Sequence, residues 1–348
     1  MITTLLFLSS GMFLGWSLGA NDAANVFGTA VGTKMIRFRT AALLGSVFVI
    51  IGAVISGAGA SHTLGKLGAV NALPGAFTVA LAAALTVLWM TRLKLPVSTS
   101  QAIVGAIIGW NLFSGMPTDY NSLVKIVSTW VLCPLLSAAF AILFYLFSRK
   151  IVDHLRISII RMDAYTRFGL MVVGAFGAYS LGANNIANVM GVFVPISPFE
   201  TAEFFSISLT SAQQLFFLGG LAISVGIITY SKRVMQTVGS DLFKLSPIAA
   251  LVVVLASSTV LFLFASESLQ IWLTTRGLPS LPLVPVSSSQ AVVGAVLGIG
   301  LAKGGRNIKF GVLGKISLGW VTTPLASGAA GYVLLWIVHN ILDMPVYL

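Results

Sequence analysis

The chain carries nine acidic residues, and eight of them, Asp119, Asp153, Asp163, Glu200, Glu203, Asp241, Glu267 and Asp343, fall in or beside polar connections. Asp22 alone sits deep inside an apolar stretch. A carboxylate at bilayer depth costs at least ~2.5–3.5 kcal/mol on insertion scales. Two kinds of explanation fit such a residue. It can serve a cation or a proton, or it can be a carboxylate neutralised purely for packing. Its neighbours favour the first. Ser17-Leu18-Gly19-Ala20-Asn21-Asp22-Ala23-Ala24-Asn25-Val26 recurs as Ser180-Leu181-Gly182-Ala183-Asn184-Asn185-Ile186-Ala187-Asn188-Val189, with eight of ten positions identical. Asn21, Asn25, Asn184, Asn185 and Asn188 offer neutral amide oxygens and NH2 donors. Gly19 and Gly182 permit a departure from helix that would free backbone carbonyls. Carboxylate, amide and carbonyl oxygens together suit a hard cation such as sodium. A single Asn in a span more often bridges helices, but that reading explains four duplicated ones poorly.

A second duplicated block carries hydroxyls. Pro96-Val97-Ser98-Thr99-Ser100-Gln101 recurs as Pro285-Val286-Ser287-Ser288-Ser289-Gln290, and each copy runs into an apolar helix-forming stretch. Hydroxyls at that position cap a helix, and the first amides of the helix point outward as an anion site. One such block would be a cap only. Two that converge make an oxyanion pocket of neutral donors, to which Gln101 and Gln290 could add. Neither block contains a basic residue; Arg92 and Lys94 lie near the first but read as interfacial anchors. A multiply charged anion held without Arg or Lys needs mobile cations beside it, which points to cation–anion symport.

The elements that must position these groups are membrane helices. Of 348 residues, 57% are hydrophobic and only 8% charged, and the mean hydropathy is +0.98. Soluble domains carry about 25% charged residues, so a water-soluble globule is excluded, as are collagen, disorder and a disulfide scaffold. The net charge of +11 is not the clustered face of a nucleic-acid-binding domain. Cys133, the one cysteine, lies in an apolar run and reads as a packed residue.

Ten membrane-length segments are predicted, near 2–33, 40–60, 73–91, 96–112, 123–148, 168–194, 208–229, 246–265, 281–302 and 316–341. The pieces 96–112 and 281–302 could be half-helices or re-entrant hairpins. With the N-terminus outside, every Lys and Arg except Lys66, Lys125 and Arg276 falls in a cytoplasmic connection, as the positive-inside rule requires. The start of the chain lacks a positive region ahead of its apolar run, which argues against a cleavable signal peptide.

The fold class is therefore an all-α polytopic membrane protein built from two repeats, 1–148 and 168–348, joined by a charged cytoplasmic linker, 149–167, whose piece Leu155 to Met162 is amphipathic. A third echo pairs Lys125, Trp130 and Pro134 with Lys315, Trp320 and Pro324. Five crossings per repeat is odd, so the second repeat enters from the opposite side, with both chain ends outside. Inverted repeats with broken helices and a midplane site are the architecture of secondary transporters. An intramembrane aspartyl protease would need a second buried Asp, and His62, His154 and His339 lie in or near loops, so no catalytic constellation is visible. An anion channel remains the alternative of a different class.

Through the two Gly-Ala-Asn blocks (19–25 and 182–188) and the two Pro-Val-Ser blocks, the chain resembles the inorganic phosphate transporter family of sodium- or proton-coupled permeases. The resemblance covers essentially the whole chain. It implies phosphate as substrate, sodium or protons as coupling ions, no further cofactor, location in the cell membrane and a homodimer. It implies substrate contacts from Ser98, Thr99, Ser100, Gln101, Ser287, Ser288, Ser289, Gln290, Asp22, Asn25 and Asn188, and sodium contacts from Asn21, Asp22, Asn25, Asn184, Asn185 and Asn188. The chain departs from the family at Asn185, where an Asp is usual, at Gln101 and Gln290, where His is frequent, and near Val49, where a glutamate is common. A related branch carries sulfate, which makes sulfate the second candidate.

Overall fold

The computed structural model describes residues 2–92, 97–155, 158–204, 207–237, 245–305 and 310–348. Lys94, Pro96, Arg156, Asp241, Lys244, Arg306 and Lys309 from the reading above lie outside the described residues. The elements in order are α1 (Ile2–Gly32), α2 (Phe38–Ser56), α3 (Ala58–Gly68), α4 (Leu73–Arg92), α5 (Thr99–Ser114), α6 (Tyr120–Leu155), α7 (Ile159–Met190), α8 (Ser211–Thr229), α9 (Ser231–Thr237), α10 (Pro247–Leu263), α11 (Glu267–Thr274), α12 (Ser288–Ala302) and α13 (Phe310–Asn340). A short 3-10 turn, Gly191–Ile196, follows α7, and two three-residue strands, β1 (Ala202–Phe204) and β2 (Ile207–Leu209), pair antiparallel.

The chain is a multi-pass helical membrane protein, and not all of the ten expected segments are matched by a spanning-length helix. Among the described residues, seven helices (α1, α2, α4, α6, α7, α8 and α13) are long and apolar enough to span, or eight if α10 and α11, bent by 68° at their junction, form one span. The predicted spans 96–112 and 281–302 hold α5 and α12, of 16 and 15 residues. At 1.5 Å per residue these reach about 24 Å, short of a ~30 Å hydrocarbon core. Each starts at its hydroxyl block because Ser98 and Ser287 cap it, accepting from the amides of Gln101 at 3.3 Å and Gln290 at 3.2 Å.

The breaks also lie elsewhere than expected. α1 runs unbroken through Gly19 and Asp22, and α7 through Gly182 and Asn185. Carbonyls there are engaged in the helix, so any cation at this level must rely on side-chain oxygens. The two glycines serve close packing instead. A Cβ on Gly19 would stand 1.9 Å from the carbonyl oxygen of Ile223 on α8, and one on Gly182 2.1 Å from that of Val49 on α2. Small residues let backbones touch where no hydrophobic force drives helices together in lipid.

These contacts come in exchanged pairs. Gly226 of α8 meets Trp16 of α1 as Gly52 of α2 meets Tyr179 of α7. Gly105 and Gly109 of α5 pack on Pro324 and Gly328 of α13, as Gly294 and Gly298 of α12 pack on Pro134 and Ala138 of α6. Helices α1, α2, α5 and α6 of the first half thus pack on α8, α7, α13 and α12 of the second, which is the pattern a pseudo-two-fold relation produces. The halves are intertwined rather than separate lobes. Of the segment 149–167, residues 149–155 close α6 and residues 159–167 open α7, with Arg167 donating to Asp163 at 2.7 Å and to the carbonyl oxygen of Met35 at 2.9 Å. Large apolar side chains remain exposed along the outer faces of α2, α6 and α13, among them Leu43, Ile55, Val131, Leu135 and Leu325, as a lipid-facing surface demands.

Candidate functional site

The capped starts of α5 and α12 meet head to head. Ser100 Oγ donates to the carbonyl oxygen of Val286 at 3.0 Å, and its counterpart Ser289 donates to that of Val97 at 3.3 Å. The reciprocal bonds lock the two blocks into one buried unit; Ser98, Thr99, Ser100, Gln101, Ser287, Ser288 and Gln290 are all nearly inaccessible. Two helix N-termini and their hydroxyls therefore converge in one place, the arrangement that suits an anion.

The long helices supply the second half of the site. Asp22 is 2% exposed. Its Oδ2 accepts from Ser288 Oγ at 2.8 Å and its Oδ1 from Asn21 Nδ2 at 3.0 Å. Asn25 Nδ2 also reaches Ser288 Oγ, at 3.2 Å. Across the pseudo-symmetry, Asn188 Nδ2 donates to Ser100 Oγ at 2.9 Å and to Asn185 Oδ1 at 3.0 Å. So α1 docks on the start of α12, and α7 on the start of α5. The ion pairs among the described residues, Arg149 with Asp153 and Arg167 with Asp163, are far along the chain from Asp22. Asp22 is therefore a buried carboxylate held by neutral donors, with no counter-charge within ion-pair distance among the described residues.

Several polar atoms here are buried without a protein partner: Thr99 Oγ1, Asn185 Nδ2, Asn188 Oδ1, Gln101 Oε1 and Gln290 Oε1. Each such atom costs roughly 1–3 kcal/mol unless a ligand or water satisfies it. Donors and acceptors are both present, which fits a site that takes an anion together with a cation. Asn188 Oδ1 is left without a partner, whereas Asn185 Oδ1 accepts from Asn188.

The two remaining amides differ between the halves. Asn184 is fully buried and engaged on backbone: its Oδ1 accepts from the amide of Val286 at 2.8 Å, and its Nδ2 donates to the carbonyls of Val284 at 3.2 Å and Leu261 at 3.5 Å. It ties down the extended stretch ahead of α12. Its counterpart Asn21 is half-buried and lines a small opening with Trp16, Ser17, Thr91, Arg92 and Tyr230. The site is thus sealed beside Asn184 and more accessible beside Asn21.

α6 and α13 carry further buried polar atoms that the sequence reading did not single out. Cys133 Sγ on α6 lies 3.7 Å from the carbonyl oxygen of Ser287. The indole N–H groups of Trp130 and Trp320, and the hydroxyls of Ser137 and Ser327, are buried without partners in both halves. The repeated Trp-Pro echo was their sequence signal.

Comparison with known proteins follows the same pattern. A family model described as the phosphate transporter family matches residues 18–331. A protein from Pyrococcus horikoshii named as a candidate phosphate permease is 27% identical over 94% of this chain and 96% of its own. A sulfate permease of Bacillus subtilis is 29% identical over 93% of this chain and 84% of its own. Among solved structures, one titled as the sodium-dependent phosphate transporter shares the fold with a TM-score of 0.78, covering 98% of this chain and 100% of that one at 23% identity.

Proposed function

The chain belongs to the phosphate transporter family, and from that premise we propose that it imports inorganic phosphate across the cell membrane by symport with sodium or protons, through alternating access. One observation carries the reading: Asp22 is buried beside two converging helix N-termini and has no fixed cationic partner among the described residues. A buried charge without compensation costs several kcal/mol, so the carboxylate must be met by a mobile cation or a proton. The same cation offsets the negative charge of an oxyanion that meets only hydroxyls, amides and helix ends. Anion and cation then bind favourably only together, which is the basis of obligatory coupling.

In this reading Ser100, Thr99, Ser288, Ser289, Gln101 and Gln290 contact the anion. Asp22, Asn25 and Asn188 stand between anion and cation, and Asn185 lends polarity without charge. Ser98 and Ser287 cap, while Asn184 and Asn21 act on the flanking stretches. The two halves enter the membrane from opposite sides, with both chain ends outside. Two such chains form the homodimer.

Sulfate is the second reading. It is favoured by Asn185, a buried neutral residue at the position equivalent to Asp22, and by the likeness to a sulfate permease. One less negative charge eases binding of an anion that carries no proton. Counterflow in proteoliposomes with labelled phosphate and labelled sulfate, with and without a sodium gradient, tests both. Saturable counterflow of phosphate stimulated by sodium or an acid outside supports symport. Counterflow of sulfate alone selects the second reading. Flux that does not saturate and shows no counterflow means a channel.

A further inference from the structure

A cavity of about 510 Å3 lies apart from the hydroxyl blocks. Ala212 and Phe216, in the first turns of α8, line it, whereas Tyr230, just past the other end of α8, lines the small opening beside Asn21. α8 has 19 residues, about 28 Å of helix, so the two openings lie at opposite faces of the membrane. The basic connection at Arg92 marks the cytoplasmic one, and the cavity faces outward.

Its lining gathers charged and titratable groups from three helices. Lys125 of α6 and His62 of α3 are exposed on its wall, and Glu267 of α11 stands there too. Neither Lys125 nor His62 forms an ion pair with Glu267 among the described residues. Other polar groups on the wall are engaged on backbone: Ser61 Oγ with the carbonyl of Gly57 at 2.8 Å, Thr63 Oγ1 with that of Leu283 at 2.6 Å, and Gln270 Nε2 with that of Leu281 at 3.2 Å. The Lys125 ammonium, whose charge also acts on the Asp119 carboxylate, and the His62 imidazole are the N–H donors left on the wall to meet an anion. A volume in the range of small-molecule pockets leaves room for a tetrahedral anion with part of its hydration.

The floor of the cavity joins it to the central site. Leu283 lines the cavity. The next residues, Val284 and Val286, are held from beneath by Asn184, and Ser287 to Ser289 follow directly. One extended stretch, fastened by Thr63 on one side and by Asn184 on the other, separates cavity from hydroxyl blocks.

We propose that this cavity is a second oxyanion site, an outer antechamber where Lys125 and His62 hold phosphate or sulfate before it passes the 282–286 stretch. The proposal rests on the transport reading above. The fixed Lys125 cation suits a waiting site, because such a site must gather an anion from dilute solution, whereas the central site shows no fixed cation among the described residues.

The test uses the full chain in right-side-out vesicles, with inorganic phosphate and sulfate as probes. Lys125→Gln should raise the KM for uptake about three- to five-fold with little change in the maximal rate, as loss of one exposed charge contact implies. The difference should shrink at high ionic strength, and Lys125→Arg should restore the KM. In parallel, Ala58→Cys in a Cys133→Ser background places a reactive group on the cavity wall. External phosphate or sulfate should slow its modification by an impermeant thiol reagent. That protection should persist when Asp22→Asn is added and vanish when Lys125→Gln is added. Vesicles that transport, with the KM unchanged in Lys125→Gln, overturn the antechamber. So does protection that follows Asp22 rather than Lys125. Absence of any phosphate or sulfate uptake by the unmodified chain would instead defeat the transport reading, while the cysteine protection would still report on the cavity.

Discussion

Ser288 and Asp22 stand 266 residues apart and share a 2.8 Å hydrogen bond in which the hydroxyl donates to the carboxylate. The bond joins the middle of α1, from the first half, to the first turn of α12, from the second. In the symport proposed above, a coupling carboxylate must sense the anion, and this bond links Asp22 to a hydroxyl of the proposed anion site.

Ser288→Ala removes the donor to Asp22 and the acceptor for Asn25 Nδ2. A hydrogen bond to a charged group is worth roughly 1.5–3 kcal/mol, so apparent anion and cation affinities should fall together by about ten- to hundred-fold. Asp22→Asn should abolish cation-stimulated uptake while the protein still elutes as a folded particle in detergent. Uptake with unchanged cation dependence in Asp22→Asn removes the carboxylate from the coupling role.

The paired backbone contacts make a stability prediction that is independent of substrate. Gly19→Ala and Gly182→Ala each force a Cβ to within 1.9 and 2.1 Å of a partner carbonyl oxygen. Both should destabilise the folded protein by about 1–3 kcal/mol or more, the usual cost of overpacking. Gly311→Ala, where a Cβ meets nothing within 4 Å, should leave it unchanged. Thermal unfolding in one detergent, followed by tryptophan fluorescence, compares the three. Equal melting temperatures would contradict the close approach of α1 to α8 and α2 to α7.

These glycines show where sequence reasoning succeeds and where it stops. The duplicated blocks made the repeat, the convergence of hydroxyls and the buried carboxylate legible, because polar residues in apolar stretches carry their own energetic warning. The role of Gly19 was not legible. A glycine beside asparagines fits a helix break and a tight helix crossing equally well, and only the partner's backbone at Ile223 decides between them. The split between Asn184 and Asn21 was hidden for the same reason. Identical residues in a duplicated motif read alike, yet one meets the amide of Val286 and the other faces an opening. Whether 96–112 and 281–302 hold full spans or half-helices was not legible, because hydropathy measures apolarity and not helix length after a cap, and α5 and α12 are short.

Sidedness follows from single cysteines in a Cys133→Ser background. Asn121 is the better outer reporter than Ser122, which is buried and donates to Asp119 at 2.7 Å; that bond is the main reason the Asp119 carboxyl lies below its ordinary value. Cysteines at Asn121 and Glu200 should react with an impermeant maleimide from outside. Those at Thr33 and Ser158 should react only after permeabilisation. Labelling of positions 158 and 200 from the same face would rule out the opposed orientation of the halves.

Asn185 offers the sharpest test of substrate choice. It is buried, its Oδ1 accepts from Asn188, and its Nδ2 has no partner. By the repeat it occupies the place that Asp22 holds on α1. An amide lends an oxygen but no charge, so a cation on this side should bind weakly, and the anion meets less negative potential than two carboxylates would give. Asn185→Asp adds that charge. Apparent sodium affinity should rise, and uptake should become more sodium-dependent. Selectivity should shift toward phosphate over sulfate, because a carboxylate accepts a hydrogen bond from a protonated phosphate oxygen and repels a bare oxygen. If Asn185 merely bridges helices, the variant would lose thermal stability with its sodium dependence and phosphate-to-sulfate ratio unaltered. Measuring uptake of both anions against sodium, in wild type and variant, separates the two outcomes.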